Sequence, residues 1–542
     1  MTGTLRRLLP SLLDYRDLRT TWRSDLLAGV TVGVVALPLA LAFGASSGVG
    51  AQAGLVTAIV AGLVAAVFGG SPVQVSGPTG AMVVVLAPIV ATHGVGAVAA
   101  VSVVAGVLVV LAGALHLGRA VGYIPWPVIE GFTVGIGIII ALQQVPAVVG
   151  SAAGSHSTNA AVAAAAAVTA ADWPAALLPV GVALAVIVVM LVLHRVAPRV
   201  PASFVAIAVA TAACTWTGAS VQTIGAIPSS LPAPSLPDLS TVGALLGPAL
   251  AVAALAAIES LLSARVGATM SGGARVDADR ELVGQGLASV ASGLFGGMPA
   301  TGAIARTAVN VRAGARTRAA AVVHALALLA IVYLAAQVVS HIPLAALAGV
   351  LLATAARMVS PTVVRAVLTS TRADAAVFVV TAVVTVAVDL VVAVLVGLAA
   401  AAFFALRSLS SSATVVREAL PGLARPGDER IALVRLDGAL FFGASDRLVE
   451  EISRLGEIDV IVLRLSHVRL LDATGARALA ELVQTIERDG TTVILKGVRA
   501  EHAGLLERLA VTASRHPDHL HSDLDAAVAH ARSHVAADEP RE

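Results

Sequence analysis

Apolar positions dominate this chain in long blocks, and the polar residues that interrupt them are placed unevenly. From Leu26 to Gly118 there is no Asp, Glu, Lys or Arg at all. A helix needs roughly 20 apolar residues to cross a hydrocarbon core of about 30 Å. By that measure the sequence predicts spans near 26–43, 51–68, 97–116, 124–144, 174–194 and 201–217. A second set falls near 242–263, 281–297, 318–340, 343–358, 373–389 and 390–407. Two more apolar segments, 72–91 and 299–312, are interrupted by Gly and Pro. Together these make about fourteen passes.

The arginines give an independent reading of the same count. With the N-terminus in the cytoplasm, the inside loops are 117–123, 195–200, 264–280, 312–318 and 357–372, and every one carries arginine. The outside loops 145–173 and 217–241 carry neither Lys nor Arg. That asymmetry is the positive-inside rule, and it predicts the orientation.

The broken segments are related to each other. Phe-Gly-Gly-x-Pro begins at Phe68 and again at Phe295, and each copy is followed by a Thr-Gly-Ala triplet, Thr79–Ala81 and Thr301–Ala303. Non-helical backbone at membrane depth survives only where it is buried in protein or lines a cavity, because lipid cannot satisfy its N–H and C=O groups. Matched Gly/Pro interruptions in corresponding places point to a transporter binding site. Each break is the third element of its half, so the chain divides into two seven-segment repeats. The first starts on the cytoplasmic side and the second on the outer side, which makes them inverted. Extended pieces (PVQVS and MPA) should reach mid-membrane and hand over to half-helices beginning near Thr79 and Thr301. Two helix N-termini, each worth about half a positive charge, then face one another and favour an anion.

From about Arg417 the pattern changes. Strand-like runs at 427–442, 459–475 and 491–498 alternate with helix-periodic runs at 444–457, 476–490 and 500–510. That alternation predicts a small α/β domain, on the cytoplasmic side after an even number of passes.

Composition narrows the function classes. The chain is 58% hydrophobic and 13% charged with mean hydropathy +0.91, which sets it apart from soluble domains, at about 25% charged. One cysteine, Cys214, excludes an internal disulfide and any cysteine-built metal site. A formal charge of +2 gives no footing for nucleic acid. The charged start reads as a cytoplasmic leader, not a signal peptide. No GxxxxGK[ST] motif occurs, so ATP-driven transport has no sequence support, and no nucleophile–base pattern suggests an enzyme. His93, His116, His194, His324 and His341 sit on different elements and form no metal constellation.

Several stretches carry a family resemblance: DLLAGVTVGVVALPLALAFG, GLVTAIVAGLVAAVFGGSPVQVSGPTGA, AIESLLSARVGATMSGGARVDADRELVGQGLAS and LFGGMPATGAIARTAVNVRAGART. They resemble the SulP family of anion transporters, and the tail resembles its STAS domain. The resemblance implies a uracil-permease-like fold of core and gate domains moving as an elevator, commonly in a homodimer. It implies an anion site at Phe43, Thr79, Gly80 and Ala81 on one side and Gly302, Ala303, Ile304, Ala305 and Arg306 on the other. Glu259 is the expected ion-coupling carboxylate, taking a proton or, with Ser263, ligating sodium. Arg306 and Glu259 are also the only charges near mid-membrane in the second half, a functional marker by default, with a structural ion pair between them as the bland alternative. Leu39 stands where many relatives carry a polar residue, which leaves substrate choice open. In DATG, Thr474 occupies a position phosphorylated in anti-sigma antagonists, or else caps the helix that follows.

The expected organisation is therefore an all-α polytopic membrane protein with a cytoplasmic α/β domain. Residues 1–24 form a cytoplasmic segment and 25–410 the transporter domain, with repeats at about 25–217 and 242–408; 411–428 is a linker and 429–542 the STAS domain. The expected function is secondary transport of sulfate, bicarbonate or a dicarboxylate across a bacterial inner membrane, with no cofactor beyond a coupling proton or sodium ion. The expected partners are the anion, membrane lipid, a second copy and a cytoplasmic protein met by the STAS domain. The alternative is a membrane-anchored STAS signalling protein that transports nothing.

Overall fold

The computed structural model describes residues 8–119, 124–151, 159–197, 200–225, 230–238, 240, 242–388, 390–411, 414–440, 458–509, 511 and 517–537. It separates into two compact units, Met1–Leu398 and Ala399–Glu542.

In the first unit the opening helices are α1 (Leu18–Ser46), α2 (Ala51–Phe68), α3 (Gly80–His93) and α4 (Gly96–Ala114). They are followed by α5 (Trp126–Val149), α6 (Ala160–Thr169), α7 (Trp173–Val196) and α8 (Ala202–Thr217). The second half repeats the order with α9 (Val242–Met270), α10 (Ala278–Leu294), α11 (Ile304–Arg312) and α12 (Ala319–Ser340). Then come α13 (Leu344–Met358), α14 (Pro361–Leu368) and α15 (Arg372–Ala387), and α16 (Leu390–Ser411) runs across the boundary at Leu398. Every expected unbroken span corresponds to one of these helices. The loops expected at 145–173 and 357–372 each contain a short helix as well, α6 and α14. Both are far too short to span, so a length criterion passes over them.

Packing sorts the helices into two groups. α1–α4 interlock with α9–α12: α12 lies along α1 and α2, and α10 along α2 and α4. α5, α7 and α8 associate with α13, and α15 packs on α5. The first group is held by small residues, as expected where lipid offers no hydrophobic drive between helices. A Cβ added to Gly106 of α4 would meet the Gly286 carbonyl at 2.6 Å, and one added to Gly286 would meet the Gly106 carbonyl at 2.5 Å. Only glycine at both positions allows that approach.

The two breaks come together in the middle of this group. Strand β1 (Ser76–Gly77) pairs antiparallel with β2 (Thr301–Gly302), placing Ser76 opposite Gly302 and Gly77 opposite Thr301. Neighbouring helices serve the broken backbone through polar side chains. Glu281 Oε2 accepts from the Gly70 and Ser71 N–H groups at 2.7 and 2.9 Å. Asn310 donates to the Val73 carbonyl at 2.8 Å, and Thr307 accepts from Val75 N at 3.1 Å. On the other break, Thr57 accepts from Met298 N at 2.8 Å, Ser289 from Ala300 N at 3.2 Å and Ser260 from Gly302 N at 3.0 Å. A buried backbone group left bare costs roughly 1–3 kcal/mol, so this set of partners is what makes the break tolerable.

In the second unit a five-stranded sheet runs in the order β3 (Thr414–Glu418), β4 (Ile431–Leu440), β5 (Val460–Leu471), β6 (Thr492–Lys496) and β7 (Leu520–His521). β3 is antiparallel to β4, and the remaining pairs are parallel. The segment expected to be a linker, 411–428, thus supplies an edge strand. Its TVVRE run is too short to stand out in the sequence. On one face Ala432, Val434 and Leu436 pack with α17 (Ala473–Arg488) and α18 (Ala500–Arg508). On the other, Ile431, Leu433 and Val460 pack with α19 (Leu524–Ala537). The strand periodicity of two sends alternate β4 residues to opposite cores. The helix expected at 444–457 lies outside the described residues.

Candidate functional site

The site is built from the starts of two half-helices. α3 begins after Thr79, whose backbone is extended at φ −130°, ψ 164°, and α11 begins after Ala303 at φ −93°, ψ 108°. The first half-helix starts where expected. The second starts at Ile304, later than the predicted Thr301, because Thr301 is taken up by the β1–β2 pair. No side chain caps either N-terminus. The N–H groups of Gly80–Met82 and Ile304–Arg306 precede the first intrahelical bonds, Val83 N to the Thr79 carbonyl and Thr307 N to the Ala303 carbonyl. Two sets of backbone donors are therefore left for an acceptor from outside the helices.

Around them the expected residues assemble. A Cβ on Gly80 would stand 3.4 Å from the Phe43 ring, so the ring borders the first turn of α3. Ala81 and Ala303 are buried, whereas Ile304 and Ala305 are exposed at the first turn of α11. Arg306 is 2% exposed; its guanidinium donates from Nη2 to the Pro78 carbonyl at 2.6 Å. Its Nη1 has no hydrogen-bond partner and faces Gly77, where a Cβ would come within 2.7 Å of it. Gly77 has φ +151°, so both the backbone conformation and the guanidinium require glycine.

Glu259 is half-buried on α9 and accepts at Oε2 from two hydroxyls, Thr79 Oγ1 and Thr301 Oγ1, each at 2.8 Å. One carboxylate oxygen thereby ties the last extended residue of the first break to the second break. Among the described residues no hydrogen bond joins Glu259 to Arg306: the carboxylate engages the two threonines and the guanidinium the Pro78 carbonyl. Ser263, one turn further along α9, is fully buried and shares a 3.1 Å hydrogen bond with Thr307. It makes no hydrogen bond to Glu259.

Thr474 is exposed in the first turn of α17, and the cap there is Asp472, which accepts from Gly475 N at 2.7 Å. Among the membrane-segment histidines, His116 pairs with Asp279 at 2.9 Å and His324 is fully buried against Gly62.

Several residues that shape the site carry a signal the sequence reading did not use. Glu281, Gln285, Ser289 and Ser292 recur at helical spacing on one face of α10, and Ser260 stands beside Glu259 on α9. A polar stripe on an apolar span must face protein, and here it faces the broken backbone.

Similarity to known proteins matches this geometry. Residues 22–381 match the sulfate permease family, and residues 423–527 match the STAS domain. The Bacillus subtilis (strain 168) protein described as putative sulfate transporter YvdB is 34% identical over 517 residues, spanning 90% of this chain and 93% of that one. The transmembrane domain of a cyanobacterium bicarbonate transporter, BicA, has TM-score 0.62 at 32% identity over 72% of this chain and 98% of its own. The murine Solute Carrier 26 family member A9 anion transporter has TM-score 0.80 over 94% of this chain and 91% of its own, at 18% identity, a likeness of fold alone. With well over half its length inside that pattern, the chain belongs to the sulfate permease family, and it ends in a STAS domain.

Proposed function

We propose that this protein carries a small oxyanion, sulfate or bicarbonate, across the bacterial inner membrane by secondary transport. The observation that carries the reading is the pair of uncapped half-helix N-termini set beside a buried Arg306. The division into an interlocked α1–α4/α9–α12 group and a second helix group supports an elevator motion, in which the first group carries the site past the second. The names of the relatives support these anions: one is described as a putative sulfate transporter and one as a bicarbonate transporter.

Charge arithmetic connects Glu259 to the choice of anion. Two helix ends at about +0.5 each and Arg306 at +1 sum to about +2. An ionised Glu259 leaves about +1, which balances bicarbonate; a protonated Glu259 leaves about +2, which balances sulfate. A dianion therefore enters with a proton on Glu259, and a monoanion enters without one. The test is uptake of labelled sulfate, bicarbonate and succinate into proteoliposomes under imposed pH or sodium gradients. The proposal expects saturable uptake of sulfate or bicarbonate, with sulfate accelerated by an inward proton gradient. Absence of uptake for the whole panel in correctly inserted protein would overturn it.

A further inference from the structure

The histidines of the membrane segment are scattered, but four of those in the tail, His519, His521, His530 and His534, gather together. His519 lies in the turn before β7, and His530 and His534 stand one helical turn apart on α19. One ligand atom from each of the three lies within 4.8 Å of the other two. His530 Nε2 and His534 Nε2 are 3.1 Å apart, with the rings stacked at 5.0 Å. A tetrahedral ion with metal–nitrogen bonds of about 2.0–2.1 Å spaces its ligand nitrogens about 3.3 Å apart. The helical pair is thus already at ligand spacing. His519, edge-on to both rings, need close by only on the order of 1 Å.

One outer contact fixes a tautomer in the sense a metal needs. His519 Nδ1 is 3.1 Å from the Val493 carbonyl, which can only accept, so Nδ1 holds the proton and Nε2 holds the lone pair of the neutral ring. His530 Nδ1 faces His521 Nε2 at 3.1 Å; when it donates along that contact His530 Nε2 keeps its lone pair, and the proton between His530 Nε2 and His534 Nε2 is the one an incoming ion displaces. Metal-binding imidazoles characteristically use their second nitrogen this way. The base of the cluster is also rigid: Arg532, between the two helical histidines, makes a two-pronged pair with Asp428 at 2.8 Å on each arm.

We propose that His519, His530 and His534 bind one divalent transition-metal ion of the zinc class, with His521 as a positioning residue and water at the fourth place. Three imidazoles and no carboxylate or thiolate suit zinc, cobalt, nickel or copper rather than calcium or magnesium. The bound ion clamps α19 to the strand edge of the STAS domain and gives that domain a metal-dependent stability. No part of this rests on the anion site.

The test uses the full-length chain, purified through a tag without histidines and stripped with chelator. Cobalt chloride is titrated while visible absorption is read, and zinc chloride then competes. The expected result is one equivalent bound with Kd below about 10 µM and a tetrahedral cobalt spectrum that zinc abolishes. His530→Ala and His534→Ala should each weaken binding at least tenfold, and His521→Ala by about tenfold through loss of the orienting contact. His467→Ala, on an exposed stretch of β5, should change nothing. His534→Gln, checked by circular dichroism, separates loss of a ligand from loss of fold. Either of two results overturns the proposal: no binding at about 100 µM cobalt, or undiminished binding in the folded His530→Ala/His534→Ala double variant.

Discussion

Removing the buried charge beside the half-helices gives a quantitative prediction. Arg306→Gln keeps a donor of similar reach for the Pro78 carbonyl but deletes the positive charge that the site would offer an anion. Arg306 belongs to the first turn of α11, so its charge lies on the order of 7 Å from an anion at that turn; at an effective permittivity of about 20 this is worth about 2.4 kcal/mol, or about fiftyfold in Kd. The assay is anion-dependent thermal stabilisation of detergent-purified protein. At an anion concentration of about 100 times the wild-type Kd, binding adds about 2.7 kcal/mol; with Kd raised about fiftyfold the same concentration adds about 0.65 kcal/mol. The anion-induced shift in Tm should therefore shrink to about a quarter. Arg306→Lys keeps the charge and loses the planar fork, and should recover most of the shift. An unchanged anion-induced shift in Arg306→Gln would refute the electrostatic argument and leave Arg306 a packing residue.

Other consequences follow from the same geometry. Glu259→Gln should retain anion exchange while losing its dependence on the driving ion gradient; proteoliposome uptake with and without a gradient separates the two, and gradient-dependent accumulation unchanged from wild type contradicts it. Gly77→Val adds side-chain atoms where a Cβ alone meets Arg306 at 2.7 Å and Ala58 at 3.3 Å, on a backbone with φ +151°; strain of roughly 1–3 kcal/mol or more should lower Tm and abolish uptake, and wild-type behaviour of both rejects the packing described. In the STAS domain the Arg532 pair holds the Asp428 carboxyl below its usual range, aided by the Arg425 N–H. A depressed folded pKa means the stabilisation is complete above the unfolded value near 3.9 and is lost as pH falls through the folded one. Asp428→Asn should remove that part of the domain's acid sensitivity, and identical acid unfolding profiles for the two proteins count against it.

How much could be read beforehand depends on what each residue type announces. The half-helix pair was legible because Gly and Pro in an apolar run have few explanations, and the Phe-Gly-Gly-x-Pro repeat removed most of those. Thr79 as the last residue before α3 follows from that pattern. The second boundary was misplaced because Thr301 pairs with Gly77 across the chain, and cross-strand pairing over more than two hundred residues leaves no local trace. Ser263 stands one helical turn from Glu259 in the sequence, while its contact with Thr307 is set by how α11 crosses α9 and leaves no local trace. The serines and glutamine on α10 were visible as a stripe, yet only the fold shows that they serve the broken backbone. In the tail, the histidines at 530 and 534 sit at ligand spacing in the sequence, while His519 joins them only through the position of β7.

The central claim is that the anion sits at the first turns of α3 and α11. Ile304 is 40% exposed at that turn, which makes it the point to probe. Ile304→Cys is placed in a Cys214→Ser background, reconstituted, and treated with the small uncharged reagent methyl methanethiosulfonate. Labelling rate is then measured against rising concentrations of whichever anion the vesicles take up. The account predicts severalfold protection, half-maximal at the concentration that half-saturates uptake. A labelling rate indifferent to anion, in protein that still transports, would place the anion elsewhere and contradict it.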